Sequence, residues 1–169
     1  MHVLERTLRK RLVARAAACV AALCLAGNAG AAGFAEGIDH WRFQTSLLTH
    51  HFDPDPEHTE RQKLLNLEAW RDDRWHLGAA VFRNSFDQPT QFVYVGYAWP
   101  IAGSENVYWR LMGGLMHGYK GEYQDKIPFN GLGIAPAIVP SVGVRYRRVF
   151  SEVQFGGTAV LLWTAGVRF

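Results

Sequence analysis

The chain has 169 residues, of which 20% are charged and 13% aromatic, and its 18 Lys and Arg outweigh its 15 Asp and Glu to give a formal charge of +3. Five of those bases (Arg6, Arg9, Lys10, Arg11, Arg15) and one acid (Glu5) precede the apolar run 16–25, which leaves 13 bases against 14 acids, or −1, on everything after it. The basic balance therefore argues for export and excludes a nucleic-acid surface, which would belong to the folded domain.

In chain order, a basic n-region leads into an apolar stretch shorter than the ~20 residues that span a bilayer, and then into the small residues Ala29-Gly30-Ala31-Ala32. Residues 1–31 read as a signal peptide and residues 32–169 as a single outer-membrane β-barrel domain. Cys19 and Cys24 both lie in the leader, and the bulky Leu23 directly before Cys24 does not suit a lipoprotein cleavage site. The domain then carries no thiol, so neither a disulfide nor a cysteine metal site is expected.

Beyond the leader the hydrophobic period is two, not 3.6, and runs rich in aromatic and β-branched residues recur between turn clusters. Eight strands are predicted, at 41–51, 63–70, 75–82, 91–99, 107–116, 134–146, 150–156 and 160–169. In the first, Arg42, Gln44 and Ser46 alternate with Trp41, Phe43, Thr45 and Leu47, so one side suits lipid and the other a polar interior. The connections at 71–74, 100–106 and 147–148 are short, whereas those at 52–62, 83–90 and 118–133 are longer. This is the organisation of an all-β, eight-stranded antiparallel up-and-down transmembrane barrel whose long loops face outward. The final strand alternates Leu161, Trp163, Ala165, Val167 and Phe169 with Leu162, Thr164, Gly166 and Arg168. Its terminal Phe resembles the signal that barrel-assembly machinery reads. A soluble closed barrel is the other architecture with these strands, but its outer face would be polar.

Strands one, three and five run toward the outer rim, which places His51, Asn84, Ser85 and His117 there. A histidine near a serine is a base beside a hydroxyl, able to take the hydroxyl proton near neutral pH.

The segment Val81-Phe82-Arg83-Asn84-Ser85-Phe86 resembles the Phe-Lys-Asp-Ser-Trp motif of the lipid A palmitoyltransferases, the PagP family of eight-stranded outer-membrane enzymes. Gly96-Tyr97-Ala98-Trp99 is similar to the family's Gly-Tyr-Gly-Trp. Ile127-Pro128-Phe129-Asn130, followed by residues 134–146 with Pro136, Pro140 and Ser141-Val142-Gly143, resembles its proline-interrupted segment, and residues 163–169 its closing strand. The resemblance implies transfer of a palmitoyl-like chain from a phospholipid donor to lipid A as acceptor. It implies no cofactor and no metal, and a monomer in the bacterial outer membrane. It also implies a catalytic set of His51, Ser85 and Asn84. Alternation with Gln44 and Ser46 favours His50 as the base, whereas the position heading the loop favours His51, which is taken here. Asn84 stands where the family has aspartate; it can hydrogen-bond but carries no charge, and Asp87, Asp53 and Asp55 are the nearby carboxylates. The family's N-terminal amphipathic helix has no counterpart in the nine or so residues before Trp41.

Further expectations concern the interior. The resemblance implies that Gly96 and Ala98 bind substrate, with Ala98 at the floor of an acyl pocket that its extra methyl shortens by about one methylene; Gly78, Gly113 and Gly114 are expected to leave room. Pro128, Pro136 and Pro140 should leave gaps in the ladder, either by ending or bulging the sixth strand or, as the resemblance implies, in a way that admits a lipid tail sideways. Lys120 and Lys126 are placed to meet lipid A phosphates as point charges. A non-catalytic small barrel for membrane integrity, adhesion or solute passage is the alternative. A lipid A deacylase fits less well, because His117 is followed by Gly118 and Tyr119 in place of the His-x-Ser pair of those enzymes. No His-Glu-x-x-His, glycine-rich phosphate loop or Gly-x-Ser-x-Gly is present.

Overall fold

The structure is a computed structural model that describes residues 36–52, 63–157 and 160–169. The expected signal peptide, Asp53 and Asp55 lie outside the described residues. Eight strands, β1 His40–His51, β2 Leu65–Arg71, β3 Trp75–Arg83, β4 Pro89–Ile101, β5 Ser104–His117, β6 Ile134–Tyr146, β7 Val149–Gly156 and β8 Val160–Arg168, form a closed barrel in sequence order. Every neighbouring pair is antiparallel, and β1 closes on β8. Closure pairs the edges that an open sheet would leave unsatisfied in hydrocarbon.

The period-two pattern decides which side chains meet lipid. Leu65, Leu67, Val81, Val93, Val95 and Leu115 are exposed on the outside, while Arg42, Gln44, Glu68, Arg110 and Glu152 are buried inside. Trp75, Trp99 and Trp109 gather near the short-turn end, the last two stacked at 4.2 Å, as in the aromatic girdle of a membrane barrel.

The β4–β5 connection departs from the sequence expectation. In place of a loop over 100–106, the strands run on to a tight turn at Ala102 and Gly103, both with positive φ (52° and 74°). Pro100 is accommodated because the register shifts between Pro100 and Ile101, a bulge being one of the few places in a sheet that tolerates proline.

The lower interior is filled by a polar layer. Arg110 bridges Glu68 (2.7 Å) and Glu152 (2.6 Å). Tyr94 donates to Glu68 at 2.5 Å, Tyr108 to Glu152 at 2.6 Å, and Gln44 Nε2 to Glu152 at 2.9 Å. Trp70 Nε1 donates to Glu68 at 2.7 Å, with the Arg42 guanidinium 3.6 Å above its ring. Buried charges are tolerated here because each is paired and hydrogen-bonded. These buried side chains fill the interior at this level.

Candidate active site

The choice between the two histidines turns on a bulge. In the β1–β8 ladder the register shifts between Ser46 and Leu48, so Leu47 and Leu48 are both exposed, at 55% and 58%. The extra residue inverts the alternation beyond it: Thr49 and His51 turn inward, and His50 turns out. Bulges re-aim side chains in this way. Extrapolating the pleat from Gln44 and Ser46 leads to His50 because the shift is invisible in the sequence pattern.

His51 Nε2 lies 2.9 Å from Ser85 Oγ. With the proton on the other ring nitrogen, Nε2 is the acceptor and the serine hydroxyl donates to it. Ser85 sits in the loop after β3, and Asn84 builds that loop. Its Oδ1 accepts from the backbone N–H of Phe86 and of Gln88, both at 3.0 Å. Asn84 is fully buried, and its Nδ2 has no hydrogen-bond partner among the described residues. Asn84 thus shapes the turn that presents Ser85. Asp87, one of the substitute carboxylates considered, instead pairs with Arg83 at 3.3 Å. His117 is held by Gln91 at 2.8 Å and does not line the cavity described next.

Below the His51–Ser85 pair opens a cavity of about 590 Å³. Its walls are largely apolar, with Leu64, Phe82, Phe92, Met112, Met116 and Leu162 among them, and its lower end meets Tyr94 and Asn66, members of the polar layer. Gly96 and Ala98, expected to bind substrate, do not line it. A Cβ at Gly96 would collide with His76, and one at Gly78 with the Tyr94 ring, so aromatic side chains occupy the space those glycines vacate. Ala98 packs instead with Trp70 and Tyr108. Gly113 has nothing within 4 Å of its Cβ position. The floor is therefore set by Tyr94 and Met112, which sequence reasoning missed because a glycine shows an absent side chain and not which neighbour fills the gap.

The prolines affect one ladder only. β6 pairs with β5 along its whole length, from Val107↔Val144 to His117↔Ile134. On its other side, pairing with β7 runs from Tyr146↔Val149 to Ser141↔Gln154 and stops there. Pro136, Ala137, Ile138 and Val139 line the cavity in this unpaired stretch, which leaves a slot in the outer half of the wall. Pro136 and Pro140 thus lie inside a continuous strand and do not break it.

The outer loop 118–133 roofs the cavity. Asn130 Nδ2 donates to the carbonyls of Tyr119 (2.9 Å) and Gln124 (3.0 Å), and Lys120 N donates to Gln88 Oε1 at 3.0 Å. Phe86, next to Ser85, stacks on Tyr123 at 4.0 Å. Burial pushes the Tyr119 hydroxyl up to about 12, so it stays neutral beside an apolar space. No group of His, Cys, Asp or Glu suited to a metal occurs among the described residues.

No protein family and no curated protein matches the chain. Among solved structures, a de novo designed transmembrane β-barrel aligns with 77% of this chain and 93% of its own, at a TM-score of 0.50 and 10% identity. That agreement, together with the closed ladder and the apolar exterior, decides the fold. The chain is a transmembrane barrel of the bacterial outer-membrane type. The N-terminal barrel domain of Pseudomonas aeruginosa OprF is similar over 79% of this chain and 98% of its own, with TM-score 0.43 and 12% identity. Yersinia pestis Ail is similar over 77% and 99%, with TM-score 0.45 and 14% identity.

Proposed function

We propose that this barrel is an acyltransferase that moves a palmitoyl-like chain from a phospholipid to lipid A. The observation that carries the reading is the His51–Ser85 pair, 2.9 Å apart, at the mouth of an apolar cavity of about 590 Å³. That volume falls in the range of small-molecule sites, and a hydrocarbon chain is the ligand such walls suit. The slot between β6 and β7 supplies lateral access from the outer leaflet, where lipid A resides.

In this reading Ser85 Oγ attacks the ester carbonyl carbon while His51 Nε2 takes the hydroxyl proton. The acyl–oxygen bond of the donor breaks, and the proton passes to the departing glycerol oxygen. A hydroxyl of lipid A then attacks the acyl-serine, His51 taking its proton and returning it to Ser85. Asn84 positions the serine by fixing its turn, and Met112 and Tyr94 limit the depth of the chain. Insertion of the strands is assigned to the barrel-assembly machinery.

A non-catalytic small barrel is supported by the fold alone, which it shares. Solute passage is disfavoured by the Glu68–Arg110–Glu152 layer, which fills the interior below the cavity. The two readings separate on purified protein given a phospholipid and lipid A. Acyl transfer with release of lysophospholipid, falling by about 100-fold or more in Ser85→Ala and His51→Asn, supports the enzyme, since positioned acid–base groups contribute ~10²–10⁴. Correctly folded wild type that releases no lysophospholipid refutes it.

A further inference from the structure

We infer that Lys126 forms an anion site at the cavity mouth that holds the phosphate of the acyl donor; this rests on the acyl-transfer reading above. Of the two loop lysines, only Lys126 lines the cavity. No carboxylate among the described residues lines it, and Lys126 makes no ion pair with another described residue. Among the described residues, the cavity wall therefore combines hydrocarbon with one lysine ammonium. That combination matches a single-chain segment ending in a phosphate.

The backbone that carries this exposed lysine is held in place. Lys126 ends the short 3-10 turn Gly121–Lys126, which the Asn130 bonds to Tyr119 and Gln124 tie to the rest of the loop. Lys120 N and Lys120 O both bond to the Gln88 side chain (3.0 and 3.2 Å), joining this loop to the one that bears Ser85. Lys126 Nζ lies 5.8 Å from the Phe86 ring centre, and Phe86 directly follows Ser85. A chain that fills the cavity with its ester at Ser85 leaves its phosphate in the region of this ammonium. Lysine serves as a point charge here and needs no fixed fork geometry.

Methionine methyl resonances provide the readout. The sequence has 3 methionines; Met112 and Met116 line the cavity, and Met1 lies in the leader. In Ser85→Ala barrels, which cannot turn over, dodecyl phosphate is expected to move both methyls at a concentration about threefold to fivefold lower than neutral dodecyl glycerol ether, the size of an exposed charge pair. Inorganic phosphate alone should move neither. Lys126→Gln should abolish the preference and Lys126→Arg keep it. Equal affinity for the two heads, an unchanged preference in Lys126→Gln, or equal shifts from inorganic phosphate would overturn the site. Because binding is read without lipid A and without transfer, loss of the preference in a barrel that still transfers acyl chains refutes only the anion site. A preserved preference in a barrel without transfer refutes only the enzyme.

Discussion

Ser85 and His51 are 34 positions apart in the chain and 2.9 Å apart in space, and two local devices bring them together. The bulge at Ser46/Leu48 turns His51 inward, and the Asn84 side chain folds the loop that carries Ser85. Asn84 therefore affects stability and chemistry differently. Asn84→Ala removes both backbone bonds and should destabilise the barrel by about 1–3 kcal/mol in urea titrations from lipid vesicles, the cost of buried groups left unsatisfied. Asn84→Asp keeps the two acceptor bonds, replaces the buried Nδ2 with an oxygen and adds a negative charge to the loop that carries Ser85. It should raise the transfer rate at some cost in stability, since the added carboxylate is buried with no partner at the former Nδ2; a rate unchanged or lower in folded barrel would show that no charge is needed there. That Ser85 and a histidine from the end of β1 share the outer rim was legible in the sequence from the strand directions. The inward turn of His51 was not, because one extra residue in a ladder leaves no mark on composition or spacing.

At the scale of strands, pairing among the described residues stops short at two places in the outer half, between β1 and β2 beyond Thr45↔Leu65 and between β6 and β7 beyond Ser141↔Gln154. Extending the β6–β7 register places Pro140 opposite Phe155. A Pro140→Cys/Phe155→Cys pair should therefore close the slot when oxidised and stop transfer, with activity restored by reductant. Full activity in the cross-linked form would mean that lipid reaches the cavity by another route. The floor gives a second test. Met112→Ala should lengthen the accepted chain by about two methylenes, since a truncated core side chain leaves space its surroundings only partly fill, whereas Ala98→Gly should change nothing. Acyl-chain profiling of modified lipid A would contradict this floor if Ala98→Gly lengthened the chain and Met112→Ala did not. The strands themselves were readable from alternation, seven of the eight to within about two residues at either end. β4 and β5 ran longer than expected because Pro100 reads as a breaker in sequence, while a bulge absorbs it in the sheet. The depth of the cavity was not readable, since it depends on Tyr94 crossing the interior from β4 to fill the space opposite Gly78 and on Met112 beside it.

For the molecule as a whole, one half of the barrel interior is built for rigidity and the other for occupancy. Arg110 joins Glu68 and Glu152 in the closed half, so Glu152→Ala should cost about 3–5 kcal/mol by leaving a buried guanidinium half-compensated. A loss below about 1 kcal/mol would show that water reaches this layer. Above it the same cylinder opens into the cavity, with its slot, its paired imidazole and hydroxyl, and its loop lysine all at the outer end. The proposed function stands on that apolar space being filled by an acyl chain. The most direct test is mass spectrometry of lipid A from outer-membrane-competent cells lacking any lipid A palmitoyltransferase, expressing either this chain or its Ser85→Ala variant. A palmitate-sized mass gain present with the first and absent with the second is the predicted result. Unmodified lipid A from cells in which the wild-type barrel is folded in the outer membrane would contradict it.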